Sequence, residues 1–532
     1  MKEELTISKI LRYCSRYHSS TEIVSYNITS KIETIFSNIC HRYSYESFEK
    51  RCCKFANNLV TFFKPNIIIS TLCRNSFIHM EICYAITCIG NIFLPINPTL
   101  DIECIYYICK HSELTVCFYE KIFQPLVDKL KSRLSSSIDW ICIDENYNFI
   151  LEFYTDNIDW PNINENTPAI LCYSSGITSK PKGVLYSHRD ILLSSMMGIS
   201  PDANGLSAID TILPTQGFYY ACSWNLIFMA PLVGAKLIFI NEFSTQNSFM
   251  SLFIDILDQE QVTFSAGIPT FWDYFLEYII SNNYTSRFYN LSLDKLLIGA
   301  SAINPLSTTR FKQLNIDVIT MYGLTENLFT GIYSNIKNSN TSNHTYDIFL
   351  DSLRPIFGID IKIDEEDGTW NSFTNGELYI KGLWSVDSYY KNKINSNVLI
   401  NDWFPTGDIA IISSDGYVSI LERKKDIIKV NGNWTSSLLL ENIATSHSNI
   451  IRAAALSIAD DILGEMCVIV LKTKKPMLET DVLKLYIDRN LFPSYIIFID
   501  NFPITSNDKI DKESLKQIVY DMLHMTIHKH IN

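Results

Sequence analysis

The chain has 532 residues, of which 47% are hydrophobic, 13% aromatic and only 19% charged. That apolar content excludes a disordered chain, and the length exceeds a typical domain of roughly 100 to 200 residues, so two unequal domains are expected. The 44 basic and 57 acidic residues leave a net charge of -13 with no long basic block, which argues against nucleic-acid binding through a broad basic face.

In chain order, Met1 to Ser20 has no apolar core of signal-peptide length. Ser47–Phe63 reads as a helix, Asn66–Thr71 as a buried β-branched strand and Asp101–His111 as a second helix. The longest apolar stretch, Leu226–Ile240, contains Pro231, Gly234 and Lys236 and is not read as a membrane span. Leu237–Ile240 and Leu296–Ile298 read as further strands, and the alternation predicts an α/β fold with buried strands. Asn335–Asp347 is rich in Asn, Ser and Thr without an apolar period, and reads as a surface loop. After Asp402 the pattern changes to a turn at Asp415-Gly416, a strand over Tyr417–Glu422 and a charged element, Arg423–Asp426, which we take as a domain boundary. The segment 427–532 suffices for a small α/β domain.

The 14 cysteines run from Cys14 to Cys467 without CxxC spacing. Neither a zinc site nor a compact disulfide framework is indicated, and reduced, mostly buried thiols and a cytoplasmic location are expected. The final HKHIN is neither a peroxisomal address nor a prenylation box.

Five short motifs carry chemistry. The strand Ala169–Tyr173 leads into Ser174-Ser-Gly-Ile-Thr-Ser-Lys-Pro-Lys-Gly183, a loop of hydroxyls, glycines and lysines suited to phosphate oxygens. It lacks the spacing of a P-loop NTPase. The run Asn315–Glu326 ends in Tyr322-Gly323-Leu324-Thr325-Glu326, where a carboxylate at a strand end suits magnesium. Pro405-Thr-Gly-Asp408 aims one Asp back at a sheet, and Asp accepts hydrogen bonds from ribose hydroxyls. The fourth motif is Leu421–Gly432 and the fifth Pro503–Ile510, with Lys509. Each motif alone also reads as an ordinary surface turn.

Together and in this order they resemble the signature of the adenylate-forming (AMP-binding) superfamily, which includes acyl- and aryl-CoA synthetases such as 4-coumarate-CoA ligase. The resemblance runs from about Tyr43 to Leu515 and includes Gly90–Pro98, Gly299-Ala300-Ser301, Arg354-Pro355 and Gly376–Gly382. It implies a large multi-layer N-terminal domain (1–422) with helix-flanked sheets, a hinge (423–426) at Lys425, and a small mobile α/β cap (427–532). It implies ATP, Mg²⁺ and coenzyme A as cofactors and co-substrates, with a small carboxylic acid as the partner. By this resemblance Ser174, Ser175, Gly176, Thr178 and Lys182 cradle the β- and γ-phosphates, Thr325 contacts the α-phosphate and Glu326 holds Mg²⁺. Tyr322 and Gly323 lie at the adenine with Gly299, Ala300 and Ser301 along its edge. Asp408 and Arg423 bind ribose, and Lys509 bridges the α-phosphate and the attacking carboxylate. After rotation of the cap, Gly432 in the segment Lys429–Trp434 lines the thiol entrance.

The chain also departs from the family's pattern. Ile177 and Ser179 stand where a hydroxyl and a glycine are usual, Asp508 replaces a glycine before Lys509, and no histidine occurs in Pro214–Phe218. Phe218–Ser223 offers aromatic residues and no acid, which suits a neutral-tailed carboxylic acid better than an α-amino acid; Trp224, Phe271 and Trp272 are candidates to line its pocket, although aromatic residues here more often read simply as core. Two other readings stay open: a stand-alone enzyme loading a carrier protein, and a degenerate nucleotide-binding protein without turnover.

Overall fold

Ser44 accepts the backbone N–H of Ser47 and so starts a helix over Tyr45–Phe62. Its residues Tyr45, Phe48, Cys52, Phe55 and Leu59 recur every three or four positions and are all buried. This computed structural model describes residues 3–531 apart from 29–38, 135–137, 175–179, 221–222, 224, 245, 290, 302, 335–352, 364–374, 392–398, 431–432, 461–463, 488–490, 492 and 505–509. The loop expected over Asn335–Asp347 lies outside the described residues.

Strands form close to where short apolar runs predict them: Ile68–Leu72, Lys236–Ile240 and Lys295–Gly299. The apolar stretch from Leu226 resolves into a helix, Leu226–Val233, a turn at Gly234 and the strand Lys236–Ile240. No helix of the described residues is long and apolar enough to cross a membrane.

Four sheets organise the described residues: one of thirteen strands, one of six, a three-stranded sheet and a two-stranded ribbon. Helices pack against the large sheets, giving the expected mixed α/β architecture. Within the thirteen-stranded sheet, Thr211–Pro214, Phe264–Gly267, Lys295–Gly299 and Asp317–Tyr322 are adjacent and parallel, so their carboxyl ends share one edge. Ligands bind characteristically at that end of parallel strands. The six-stranded sheet brings the hairpin Pro168–Ser174 and Lys182–Ser187 to the same region, since the Tyr186 hydroxyl donates to the carbonyl of Thr325 in the turn after Tyr322.

The buried apolar residues fall into clusters that do not mix across 423–426. Three clusters draw on residues up to Val418, and two draw only on residues from Ile428 onward. Between them, 424–426 is a turn with Lys424 and Lys425 exposed, closed by Asp426 N–H donating to the Arg423 carbonyl at 2.8 Å. Beside that turn, Glu422 accepts the Leu438 N–H (3.0 Å), and the amine of Lys512 donates to Ser437 Oγ (2.7 Å) and Glu441 (2.9 Å).

A second contact joins the two parts along the helix Pro269–Ser281, where Glu277 pairs with Lys474 at 2.9 Å. One turn earlier, Asp273 accepts the Ser307 hydroxyl at 2.5 Å, with Arg452 and Arg310 acting favourably on its charge. Burial outweighs them and raises Asp273 to about 6. A carboxyl raised in the folded state stabilises most fully below its unfolded value, and that contribution is lost as pH rises through about 6. Asp273→Asn is therefore expected to flatten the fall in stability between about pH 4 and 6, by on the order of 3 kcal/mol. Melting curves of both proteins across that range check this, and parallel curves would remove Asp273 from the account.

Candidate active site

Ser174 and Lys182 face each other across the hairpin, and the Ser174 hydroxyl donates to the Lys182 carbonyl at 3.4 Å. Both ends of the candidate phosphate loop are thereby set by strand pairing. Ser175, Gly176 and Thr178, with the departures Ile177 and Ser179, lie outside the described residues. The Lys182 side chain is exposed and its amine sits 4.7 Å from the centre of the Tyr389 ring.

At the shared strand edge a cleft opens, lined by Gln216, Ser223, Ala266, Gly267, Ile268, Leu297, Gly299 and Met321. None of these side chains is charged. Phe271 and Trp272, candidates for this lining, instead pack in an aromatic core with Phe253 and Phe275; Trp224 lies outside the described residues. Gly299 ends its strand on the cleft wall. Ala300 follows in the left-handed region at φ 70°, a conformation that costs a non-glycine residue about 1–2 kcal/mol. Ser301 is exposed beyond it.

The turn after Tyr322 is held from several sides. A Cβ on Gly323 would lie 2.7 Å from Phe329 Cα and 2.8 Å from its carbonyl carbon, so only glycine fits between these backbones. Leu328 and Phe329 are both left-handed, at φ 58° and 50°. The indole N–H of Trp384 donates to the carbonyls of Asn327 (3.1 Å) and Thr330 (2.9 Å) and holds that strained return in place. Thr325 and Glu326 therefore stand on a rigid turn. Glu326 is half-buried, its Oε1 accepts the Tyr389 hydroxyl at 2.6 Å, and no described residue bonds its other oxygen.

Asp408 is buried, with 3% of its surface exposed. Gly407, left-handed at φ 73°, precedes it within the strand Phe404–Ile412, so the stretch expected to turn at Pro405–Asp408 is continuous strand instead. Asp408 lies opposite Arg423 on the neighbouring strand, and Arg423 Nε donates to its Oδ1 at 2.7 Å. Its Oδ2 accepts the Tyr322 hydroxyl, so three residues proposed from separate motifs meet in one group. Burial, and then the Asp408 charge, push the Tyr322 hydroxyl well up and keep it a donor. Lys425 is exposed in the turn that follows.

Tyr322, Gly323, Thr325, Glu326, Gly299, Asp408 and Arg423 are thus gathered around one edge of the sheet, with Ser174 and Lys182 brought in from the other sheet. Gly432 and Lys509 lie outside the described residues, as does Asp508. The motif reading passed over Tyr389 and the uncharged cleft. Tyr389 follows closely on the Gly376–Gly382 block, and its place beside that block was the available signal. The cleft had no local signal, because its lining comes from four separate strand ends.

The profile of the family described as AMP-binding enzyme matches residues 26–390. The chain belongs to the AMP-binding enzyme family. Among curated members, the 3-methylmercaptopropionyl-CoA ligase of Ruegeria lacuscaerulensis is 29% identical over 98% of this chain and 99% of its own length. The medium-chain-fatty-acid–CoA ligase of Ectopseudomonas oleovorans is likewise 29% identical, over 98% and 97%. Among solved structures, ATP-bound MatB from Rhodopseudomonas palustris superposes with a TM-score of 0.81 at 17% identity, covering 98% of this chain and 100% of that one. This likeness concerns the fold, and it places the AMP-binding enzyme described here in the architecture of its solved relatives.

Proposed function

We propose that this protein is an AMP-forming acid–thiol ligase that uses ATP to activate a carboxylic acid and passes the acyl group to coenzyme A. In the first step an oxygen of the acid's carboxylate bonds to the α-phosphorus of ATP as the bond to pyrophosphate breaks. In the second, the coenzyme A thiolate bonds to the acyl carbon and AMP leaves. The observation that carries this reading is the cleft without charged lining, one wall of which is Gly299, beside the Tyr322, Asp408 and Arg423 group on the next strands.

In this reading Ser174, Ser175, Gly176, Thr178 and Lys182 hold the β- and γ-phosphates, and Thr325 the α-phosphate. Tyr322 and Gly323, with Gly299, Ala300 and Ser301, bound the adenine, and Asp408 with Arg423 holds the ribose. Asp408 is oriented in advance by its two partners, so it meets ribose without reorganising. Glu326 suits magnesium, a hard cation that takes oxygen ligands, because one carboxylate oxygen is steered by Tyr389 and no described residue bonds the other. When bound, that ion neutralises charge on the ATP phosphates. The uncharged cleft favours an acid with a neutral tail, since an ammonium buried there would lack a counter-charge.

Both steps share one site, so 427–532 turns as a unit on the segment 423–426, pivoting at Lys425, with 1–422 as the body. The separate apolar clusters on either side support that division. Lys509 acts in the first step, and Gly432 lines the thiol entrance in the second. A cytoplasmic location is supported by the absence of disulfides among the described cysteines.

The test is exchange of labelled pyrophosphate into ATP across a panel of neutral-tailed carboxylic acids, with and without coenzyme A. Acid-dependent exchange, and a thioester plus AMP once coenzyme A is added, are expected. Exchange without a coenzyme A thioester would redirect the second step to a carrier protein, and silence across the panel would leave a nucleotide-binding protein without turnover.

A further inference from the structure

The segment Trp384–Lys391 crosses the site and is tied to both of its charged sides. The Val386 N–H donates to the Glu326 carbonyl at 2.9 Å, and the Tyr390 N–H donates to the carbonyl of Gly183, next to Lys182, at 2.8 Å. Between these anchors stands Tyr389. Its hydroxyl donates to Glu326 Oε1 at 2.6 Å, and the Lys182 amine lies over its ring, 4.7 Å from the centre. Lys182 and Glu326 therefore hold one aromatic side chain in common and, among the described residues, make no ion pair with each other.

Opposite charges that flank one ring attract each other. A direct pair would cancel the two groups that the phosphates and their counter-ion require, and each nucleotide-binding event would first have to break it. We propose that Tyr389 is a positioning residue that keeps Lys182 and Glu326 apart and separately oriented before nucleotide arrives. The ring satisfies the cation through its face, and the hydroxyl satisfies one carboxylate oxygen while leaving the other for a metal. The inference rests on the proposed roles of Lys182 and Glu326.

Two variants test it, read by equilibrium binding of a non-hydrolysable ATP analogue to the full chain, with magnesium and with EDTA. Tyr389→Phe keeps the ring and removes the hydroxyl. It is expected to reduce the gain in affinity that magnesium confers about tenfold, as for one lost hydrogen bond to a charged group, with little change in EDTA. Tyr389→Leu removes the spacer and is expected to weaken binding in EDTA as well. Adding Glu326→Gln to Tyr389→Leu should then restore affinity in EDTA, because Lys182 is released from its counter-charge. Wild-type magnesium dependence with no change in Tyr389→Phe, or Tyr389→Leu without rescue by Glu326→Gln, overturns the inference. Wild-type protein that binds no analogue in either condition instead overturns the proposed function on which it rests.

Discussion

Lys509→Ala is expected to slow acyl-adenylate formation by on the order of 10²-fold or more, while thioester formation from supplied acyl-adenylate persists. The first step gathers charge on the α-phosphate and the entering carboxylate, and an ammonium set between them is most valuable as their bond forms. The second step expels AMP and has no such need. Ile504 and Ile510, on either side of the segment that carries Lys509, pair with each other. Rapid-quench measurement of the two steps separately checks the expectation, and equal losses in both would refute a lysine that serves only one orientation of the cap.

Asp408→Ala is the second large effect. It removes the acceptor of both Arg423 Nε and the Tyr322 hydroxyl, at a position with only 3% exposure. Hydrogen bonds to a charged group contribute about 1.5–3 kcal/mol each, so loss of the proposed ribose contacts and of their preorganisation is expected to lower kcat/KM for ATP by roughly 10²-fold or more. Arg423 is half-exposed and can rehydrate, which limits the accompanying loss of stability. Asp408→Asn, which keeps the shape and one acceptor, should fall between variant and wild type. Steady-state kinetics in ATP, with melting temperatures alongside, separate the two effects, and an unchanged KM for ATP would remove Asp408 from the ribose site.

Much of the fold was legible because burial writes itself into periodicity. The helix Tyr45–Phe62 follows its three- and four-residue spacing, and the strands Ile68–Leu72 and Lys295–Gly299 follow short apolar runs. Ser174, Tyr322 and Arg423 were legible because each stands at a strand end beside a glycine-containing loop or a charged turn, and Asp408 because it follows Gly407, although it lies inside the strand Phe404–Ile412. For Phe271 and Trp272 the sequence left two readings, pocket lining and plain core, and they join Phe253 and Phe275 in the core. Type and position along a helix do not say which neighbouring surface the helix meets.

Alone, the sequence determined the α/β class and supplied the expected boundary near Arg423–Asp426 and the set of phosphate- and sugar-binding candidates, since each depends on residues close together in the chain. Only the tertiary structure decided that Tyr322 bonds Asp408, that Tyr389 stands between Lys182 and Glu326, and that four strand ends leave an uncharged cleft beside them. Those contacts join residues far apart in the chain. Sheet order and the return of the chain at Leu328 and Phe329 set their partners, and neither leaves a local pattern to read.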